Sequence, residues 1–420
     1  MSAIDDRHIA DAPWLKTPAL KAVFAALNGA GEEVRVVGGA VRNALLGVPV
    51  HDVDLATTAT PEEVVRRAGA AGLKSVPTGI AHGTVTLVSA GTPFEVTSLR
   101  EDVETNGRHA VVRFGRDWAR DAARRDFTLN ALYADAEGRL YDPVGGLPDL
   151  LARRVRFIGD PGMRIREDHL RILRLFRFHA AYGNGPVDGP ALLACVRQRE
   201  GLDRLSRERV RAEMLKLVVA VGAPATLVEM SDAGLLGRIL GGVADLPGFA
   251  RLAALETALG LAPVAVRRLG GLAVRITEDA ERLRDRLRLS NAEQARLLAL
   301  TGAPMVSPDM PDGVARQVLY GVGAEVFLDR LLIAAARGGG DPAPLARMAA
   351  DWQPPDCPIT AGRLMAQGLK PGPMLGATLA RARADWVSAG FPAEPDDIDR
   401  IIRATLTPAG EPGRADERDA

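Results

Sequence analysis

The chain has 420 residues, 25% of them charged and 47% hydrophobic, with Lys plus Arg equal to Asp plus Glu at 53 each. That length calls for about two to four domains. The zero net charge excludes a global field drawing in nucleic acid, and 4% aromatics exclude extended base-stacking platforms.

No apolar run approaches the roughly 20 residues that cross a bilayer, and the acidic, broken N-terminus is unlike a signal peptide. Cys195 and Cys357 belong to no CxxC or Cys/His pattern. We therefore expect reduced thiols in a cytoplasmic protein, with no zinc site.

In chain order, residues 33–37 read as a strand, Gly38 and Gly39 as a turn, and 40–47 as a helix. Strand 52–56 follows, then a helix over 61–71 opened by Thr60 as N-cap, Pro61 at the first helical position and Glu63 as capping-box acid. "GTVTLVSA" and "PFEVTSLR" are alternating strands at 83–89 and 93–99. The turn "AGTP" between them is so short that they must be antiparallel. Residues 101–116, "EDVETNGRHAVVRFGR", show no clear period and read as a mobile, charged loop. A hairpin mixed with helices indicates an α+β head rather than a doubly wound sheet.

"RRDFTLNAL" then predicts an amphipathic helix preceded by Arg124, Arg125 and Asp126, and "RLYDPVGGLPDLL" a short strand and a turn. "IREDHLRILRLFRFHAAYG" reads as one helix whose Leu170, Ile172, Leu173, Leu175, Phe176 and Phe178 face a core. "LSRERVRAEMLKLVVA" is a further helix with Ser206 as N-cap. Helices continue to about 403, and 404–420 is expected to be disordered.

Several residue patterns suggest chemistry. Asp52 and Asp54 alternate along a strand, so both carboxylates share a face. Like charges that close together favour a cation between them, and hard oxygen ligands suit Mg²⁺ with phosphate completing its shell. Two solvated carboxylates at a strand end fit the same pattern. Gly38 and Gly39 allow a backbone approach to phosphate, the following helix aims its N-terminal amides at an anion, and Arg42 lies in its first turn. A plain strand-to-helix turn is the alternative.

Glu95, on the strand face opposite Phe94 and Val96, is either a third acid for the metal or an exposed side chain. Arg124 and Arg125 at a helix N-terminus would conflict with its dipole, a conflict an anionic ligand relieves. Asp168, Arg171, Arg174 and Arg177 recur every three residues. Asp168 beside Arg171 offers an acceptor next to a planar donor, the complement of a cytosine or adenine edge. A surface helix with salt bridges is the other reading. Between 151 and 216 basic residues exceed acidic ones, so an arginine-rich face there can follow an RNA backbone.

Taken in order, "GGAVRNALLG", "HDVDLATTATPEEV", "GIAHGTVTL" with "FEVTSLR", "RRDFTLNAL", "DPVGGLPDL", "IREDHLRILRLFRF" and "LSRERVRAEMLK" resemble the class II CCA-adding tRNA nucleotidyltransferase and bacterial poly(A) polymerase family. The resemblance spans about residues 30–216. It implies a small mixed β-sheet nucleotidyltransferase head at 25–150, a helical neck at 151–220, and a helical, tRNA-binding body and tail at 221–403. It also implies that Asp52 and Asp54 hold catalytic Mg²⁺, that Gly39, Arg42 and Arg125 contact the nucleotide, and that Asp168 and Arg171 read the base with Arg174 and Arg177 in support.

The implied reaction is metal-assisted phosphoryl transfer from CTP and ATP to tRNA without a template. Asn43 stands where the family usually has Asp, and there is no histidine-aspartate phosphohydrolase motif. Poly(A) polymerase, a CC-only or A-only enzyme, a small-molecule nucleotidyltransferase and a non-catalytic tRNA-binding protein are the alternatives.

Overall fold

The computed structural model describes residues 4–80, 83–106 and 109–406, the side chains of 4–8, 78, 101–106 and 109–112 excepted. It forms two compact units, Met1–Leu246 with Glu281–Ser290, and Pro247–Ala280 with Asn291–Ala420.

The first unit opens on a sheet. Its strands and those of a hairpin beside it are β1 (Ile4–His8), β2 (Val34–Val37), β3 (Leu55–Thr57), β4 (Lys74–Gly79), β5 (Thr84–Ser89), β6 (Thr92–Ser98), β7 (Arg100–Asn106), β8 (His109–Phe114), β9 (Tyr133–Ala134) and β10 (Arg139–Tyr141). Eight of them make one sheet in the order β1-β10-β9-β2-β3-β6-β5-β4. The β3–β6 pair is parallel while its neighbours are antiparallel, so the sheet is mixed.

The sheet takes in residues 4–8, ahead of the head start expected at 25. Two helices cover it, α1 (Pro18–Leu27) and α3 (Pro61–Ala70); the short α2 (Gly39–Leu46) lies between them in the chain. Leu20, Val23 and Leu27 of α1 are fully buried, as are Val64 and Ala68 of α3 and Val85 and Leu87 of β5. Thr60 Oγ1 accepts from the Glu63 amide at 3.4 Å, as expected of an N-cap. Only this half of the capping box forms, because the Glu63 carboxylate takes Arg66 and Arg67 instead.

Three sequence expectations change here. Residues 101–116 are not a loop: β7 and β8 pair as an antiparallel hairpin from Arg100↔Phe114 to Asn106↔His109. Second, "RRDFTLNAL" is no long helix. The helix precedes it, as α4 (Trp118–Ala123), and Thr128–Asn130 is a single 3₁₀ turn before β9. Insertion of β9 between β2 and β10 gives this segment sheet partners that outweigh its helical period.

Third, "IREDHLRILRLFRF" breaks into α6 (Pro161–Glu167) and α7 (Leu170–Tyr182) at Asp168, whose φ of −155° and ψ of 109° are extended. Between β10 and α6 lies α5 (Gly146–Leu151). The expected apolar face of α7 is buried throughout, with Ile172, Leu173, Leu175 and Phe176 wholly enclosed. The neck continues with α8 (Gly189–Arg197) and α9 (Arg207–Val218). Ser206 has N-cap backbone geometry, but its hydroxyl bonds no helix amide.

The second unit is helical. One core gathers Val318, Leu319, Phe327 and Leu331, another Leu364, Ala382, Trp386 and Ile398. Its last helix, Pro395–Leu406, runs past the expected limit at 403, and 407–420 lie outside the described residues. Both cysteines are free thiols. No described helix is long and apolar enough to cross a membrane.

Gly146 shows why "DPVGGLPDL" has its composition. Asp142 accepts from the amides of Gly146 and Leu147 at 2.7 and 2.9 Å, holding the start of α5 against the Thr128 carbonyl. A Cβ on Gly146 would lie 2.1 Å from that oxygen. Gly146→Ala should therefore lower stability by about 1–3 kcal/mol, seen as a lower urea midpoint at unchanged m-value.

Candidate active site

The site begins where β2 ends. Gly38 has φ +70°, and a Cβ there would sit 3.3 Å from the Asn130 carbonyl and 4.0 Å from Arg125 Nη1. Of the two glycines, Gly38 is the one the turn requires; Gly39 is the first residue of α2, with Arg42 one turn on. The Val37 amide donates to the Asp54 carbonyl at 2.9 Å, which pins Asp54 beside this turn.

Asp52 and Asp54 precede β3 rather than lying within it, because regular pairing with β2 starts at Leu55. Leu55 pairs with Val96 in the parallel ladder, so Glu95 comes alongside Asp54. Asp54 has its carboxyl pKa raised, first by enclosure and then by the negative charges of Glu95 and Asp52, with Arg125 opposing. The three acids are thus neighbours that repel one another. Among the described residues no three acidic, imidazole or thiol groups form a closed metal cage. An ion here would need oxygens from a ligand as well.

The paired arginines sit at the C-terminal end of α4, not at a helix N-terminus, so the conflict expected for them does not arise: Arg124 is the C-cap and the helix dipole favours cations there. Asp121, 1% exposed, holds both. Its Oδ1 accepts from Arg124 Nη2 at 2.6 Å, and its Oδ2 from Arg125 Nη2 at 3.1 Å and from the Tyr133 hydroxyl at 2.8 Å. Burial alone would raise the Asp121 pKa, but Arg125 and Arg124 reverse this and hold it low. Asp126 is similarly enclosed. It accepts from Arg174 Nε at 2.7 Å and Asn130 Nδ2 at 3.0 Å, and these partners overcome burial to keep its pKa low.

Arg42 donates to Asn130 Oδ1 at 2.6 Å, to the Tyr182 hydroxyl at 2.8 Å and to Asn43 Oδ1 at 3.0 Å, and its guanidinium lies 4.0 Å from the Tyr182 ring centroid. These acceptors are neutral, and Asp126 is the carboxylate whose charge favours the Arg42 cation. Asn43 keeps the acceptor an Asp would offer, and its amide donates to the Pro49 carbonyl at 2.9 Å, a bond a carboxylate could not make.

From the neck, the Asp168 Oδ1 accepts from the Leu170 amide at 3.1 Å and starts α7. Arg171 Nη1 donates to the Arg164 carbonyl at 2.8 Å and to Glu167. Arg177 pairs with Glu213 of α9. Arg164 reaches the carbonyls of Arg124 and Arg125, tying α6 to the end of α4.

These elements enclose a cavity of about 550 Å³ lined by Gly38, Gly39, Arg42, Asp54, Arg125, Asp168, Arg171, Arg174 and Arg177 among others. Nearly the whole expected set therefore converges. Asp52 and Glu95 lie beside Asp54, outside the lining. The sequence reading missed Asn130 and Arg209, which also line the cavity, and Asp121 and Glu213, which anchor its arginines. Each lies in or next to a quoted motif; the partners of Asn130, Arg209 and Glu213 are remote in sequence, whereas Asp121 holds arginines three and four residues on.

Residues 34–156 match the family of the Poly A polymerase head domain. The mitochondrial CCA tRNA nucleotidyltransferase 1 of Mus musculus is 31% identical over 416 residues, covering 93% of this chain and 91% of the relative. The chain belongs to the CCA-adding enzyme and poly(A) polymerase family. Another member, the CCA-adding enzyme of Limosilactobacillus fermentum, is 32% identical over 366 residues, 85% of this chain and 89% of its own. The crystal structure of the Bacillus stearothermophilus CCA-adding enzyme in complex with CTP shares the family fold at TM-score 0.69 and 27% identity, covering 92% of this chain and 98% of that one.

A raised carboxyl pKa means that the fold disfavours the ionised Asp54. Its contribution weakens stability as pH rises through that range and recovers as pH falls. Asp54→Asn should therefore raise the melting temperature of the metal-free protein at pH 7, by about 1–2 °C, measured by calorimetry in EDTA. The gain should vanish near pH 3, where wild-type Asp54 is itself protonated.

Proposed function

We propose that this chain adds C, C and A to the 3′ end of tRNA from CTP and ATP, without a nucleic-acid template and with release of pyrophosphate. The observation that carries this reading is a single cavity with an acidic group at the head side and an acceptor–donor pair, Asp168 and Arg171, at the neck side. A small-molecule nucleotidyltransferase needs only the first half.

In this reading the triphosphate lies along the start of α2, where the backbone at Gly38 and Gly39, the Arg42 guanidinium and the anchored Arg125 bind its oxygens. Asp168 accepts from the amino group of cytosine or adenine, and Arg171 donates to the adjacent ring nitrogen. Arg174 and Arg177, fixed by Asp126 and Glu213, hold the pocket's shape. The tRNA 3′ oxygen bonds to the α-phosphorus as the bond to the pyrophosphate oxygen breaks, and the hydroxyl proton leaves to solvent. Positioning and charge compensation by these side chains supply most of the acceleration.

The family's chemistry uses a divalent metal. The mutual repulsion of Asp54, Asp52 and Glu95 fits one. We assign Asp52 and Asp54 as ligands of Mg²⁺, with Glu95 a neighbouring acid. A metal held by Asp52 and Asp54 would supply activation of the 3′-hydroxyl and charge neutralisation at the leaving group. The domain roles are a catalytic head that takes in the strand at 4–8 and runs to 150, a base-reading neck at 151–220 and a tRNA-binding body and tail from 221 to the end of the last helix at 406. We place the protein in the cytoplasm.

The test offers purified protein a tRNA ending before CCA, with CTP and ATP separately and together and with GTP and UTP as controls. Extension by three nucleotides only when both CTP and ATP are present is expected. A long adenylate ladder, a stop after two additions, or addition of A alone to a CC-ended tRNA would replace this reading with one of its relatives. Asp52→Ala and Asp54→Ala should each abolish incorporation while tRNA binding by gel shift stays within about twofold. Arg171→Ala should shift the CTP:ATP preference more than the triphosphate affinity, by on the order of tenfold. An unchanged base choice would remove Arg171 from the edge-reading role.

A further inference from the structure

We propose that Arg209 is a specificity-determining positioning residue: it aims the Asp168 carboxylate at the base edge and thereby sets the rejection of UTP and GTP. The inference rests on the base-reading role proposed above for Asp168.

From sequence, Arg209 belongs to an arginine-rich helix suited to an RNA backbone. The fold turns it the other way. Arg209 lines the cavity, and its Nη2 donates to Asp168 Oδ2 at 2.5 Å from a position 41 residues away. The Leu170 amide holds the other oxygen, Oδ1, at 3.1 Å. Two donors on separate elements, one the rigid start of α7 and one from α9, thus fix the plane of the carboxylate. Four residues further along α9, Glu213 holds Arg177 and approaches Arg174. Positions four apart share a helix face, so one face of α9 supports both the acceptor and the cations of the base pocket.

A carboxylate oxygen offers two lone-pair directions, so each oxygen held by one donor still has one for a ligand. A carboxylate fixed in this way accepts from the amino group of cytosine or adenine. It meets the carbonyl oxygen of uracil or guanine with another acceptor, and neither group can donate. Arg171, Arg174 and Arg177 line the same cavity as Asp168. Without Arg209 the carboxylate is held at one oxygen only, and these guanidiniums compete for the other. An acceptor that has turned toward a neighbouring cation no longer opposes a carbonyl, so discrimination falls even though Asp168 is still present.

The measurement is single-nucleotide incorporation into a tRNA ending before CCA, with kcat and KM for CTP, ATP, UTP and GTP. It compares wild type, Arg209→Ala, Arg209→Lys and Asp168→Asn. Arg209→Ala should raise the UTP:CTP ratio of kcat/KM by on the order of tenfold, mainly through a higher KM for CTP. Arg209→Lys, which keeps a charge but not the planar fork, should recover part of the discrimination and also serves if the alanine variant does not fold. An equal loss for all four nucleotides in both variants, with wild-type ratios kept, would assign Arg209 a purely structural role and overturn the proposal. If Asp168→Asn relaxes base choice and neither Arg209 variant does, the Arg209 inference alone fails. If Asp168→Asn leaves base choice unchanged, the reading of Asp168 fails and this proposal with it.

Discussion

A guanidinium drawn into a protein interior is tolerated only where an acceptor meets it in good geometry. The cavity of this protein depends on that constraint. Arg125 is held by Asp121, Arg174 by Asp126, Arg177 by Glu213 and Arg209 by Asp168, each through a carboxylate itself largely buried or lodged between elements. Three of these pairs join segments distant in the chain. The lattice of pairs therefore does two things: it compensates the arginines individually, and it ties the segment after α4 to α7, and α7 and the residue before it to α9. Removing a partner would leave a buried cation unmatched, so the architecture is sensitive at residues that touch no ligand.

The opposite situation holds at the head. At Asp54, enclosure and then the charges of Glu95 and Asp52 disfavour the ionised carboxylate, and Arg125 favours it. The fold gathers negative charge beside one end of the cavity and, at Arg42, a positive charge whose hydrogen-bond acceptors are neutral. A magnesium nucleotide carries the complementary pattern, cation and polyanion together. Stability is given up locally at the site where binding restores it.

The arginine pair of "RRDFTLNAL" is legible in the sequence as a feature of the site, but the helix it belongs to lies before it, not after it, so its cations meet a helix C-terminus. The segment's apolar spacing serves a 3₁₀ turn and a two-residue strand enclosed by β2 and β10, and such short elements have no period of their own. The break at Asp168 escaped notice for a related reason: the apolar face of α7 is so regular that it extends through α6 by eye, and nothing local announces the extended residue between them.

What the sequence determined by itself was the set of chemical groups and their order: Gly38 with its positive φ, the alternating carboxylates, the arginine ladder of α7 and its buried apolar stripe. These depend on local backbone geometry and periodicity, which neighbouring residues dictate. Only the tertiary structure decided which carboxylate each arginine takes, that Arg209 and Asn130 belong to the cavity, and that Asn43 satisfies Arg42 and Pro49 together. Those pairings arise where separate elements pack, and an ion pair bridging 41 or 48 residues has no signature in the spacing of either partner.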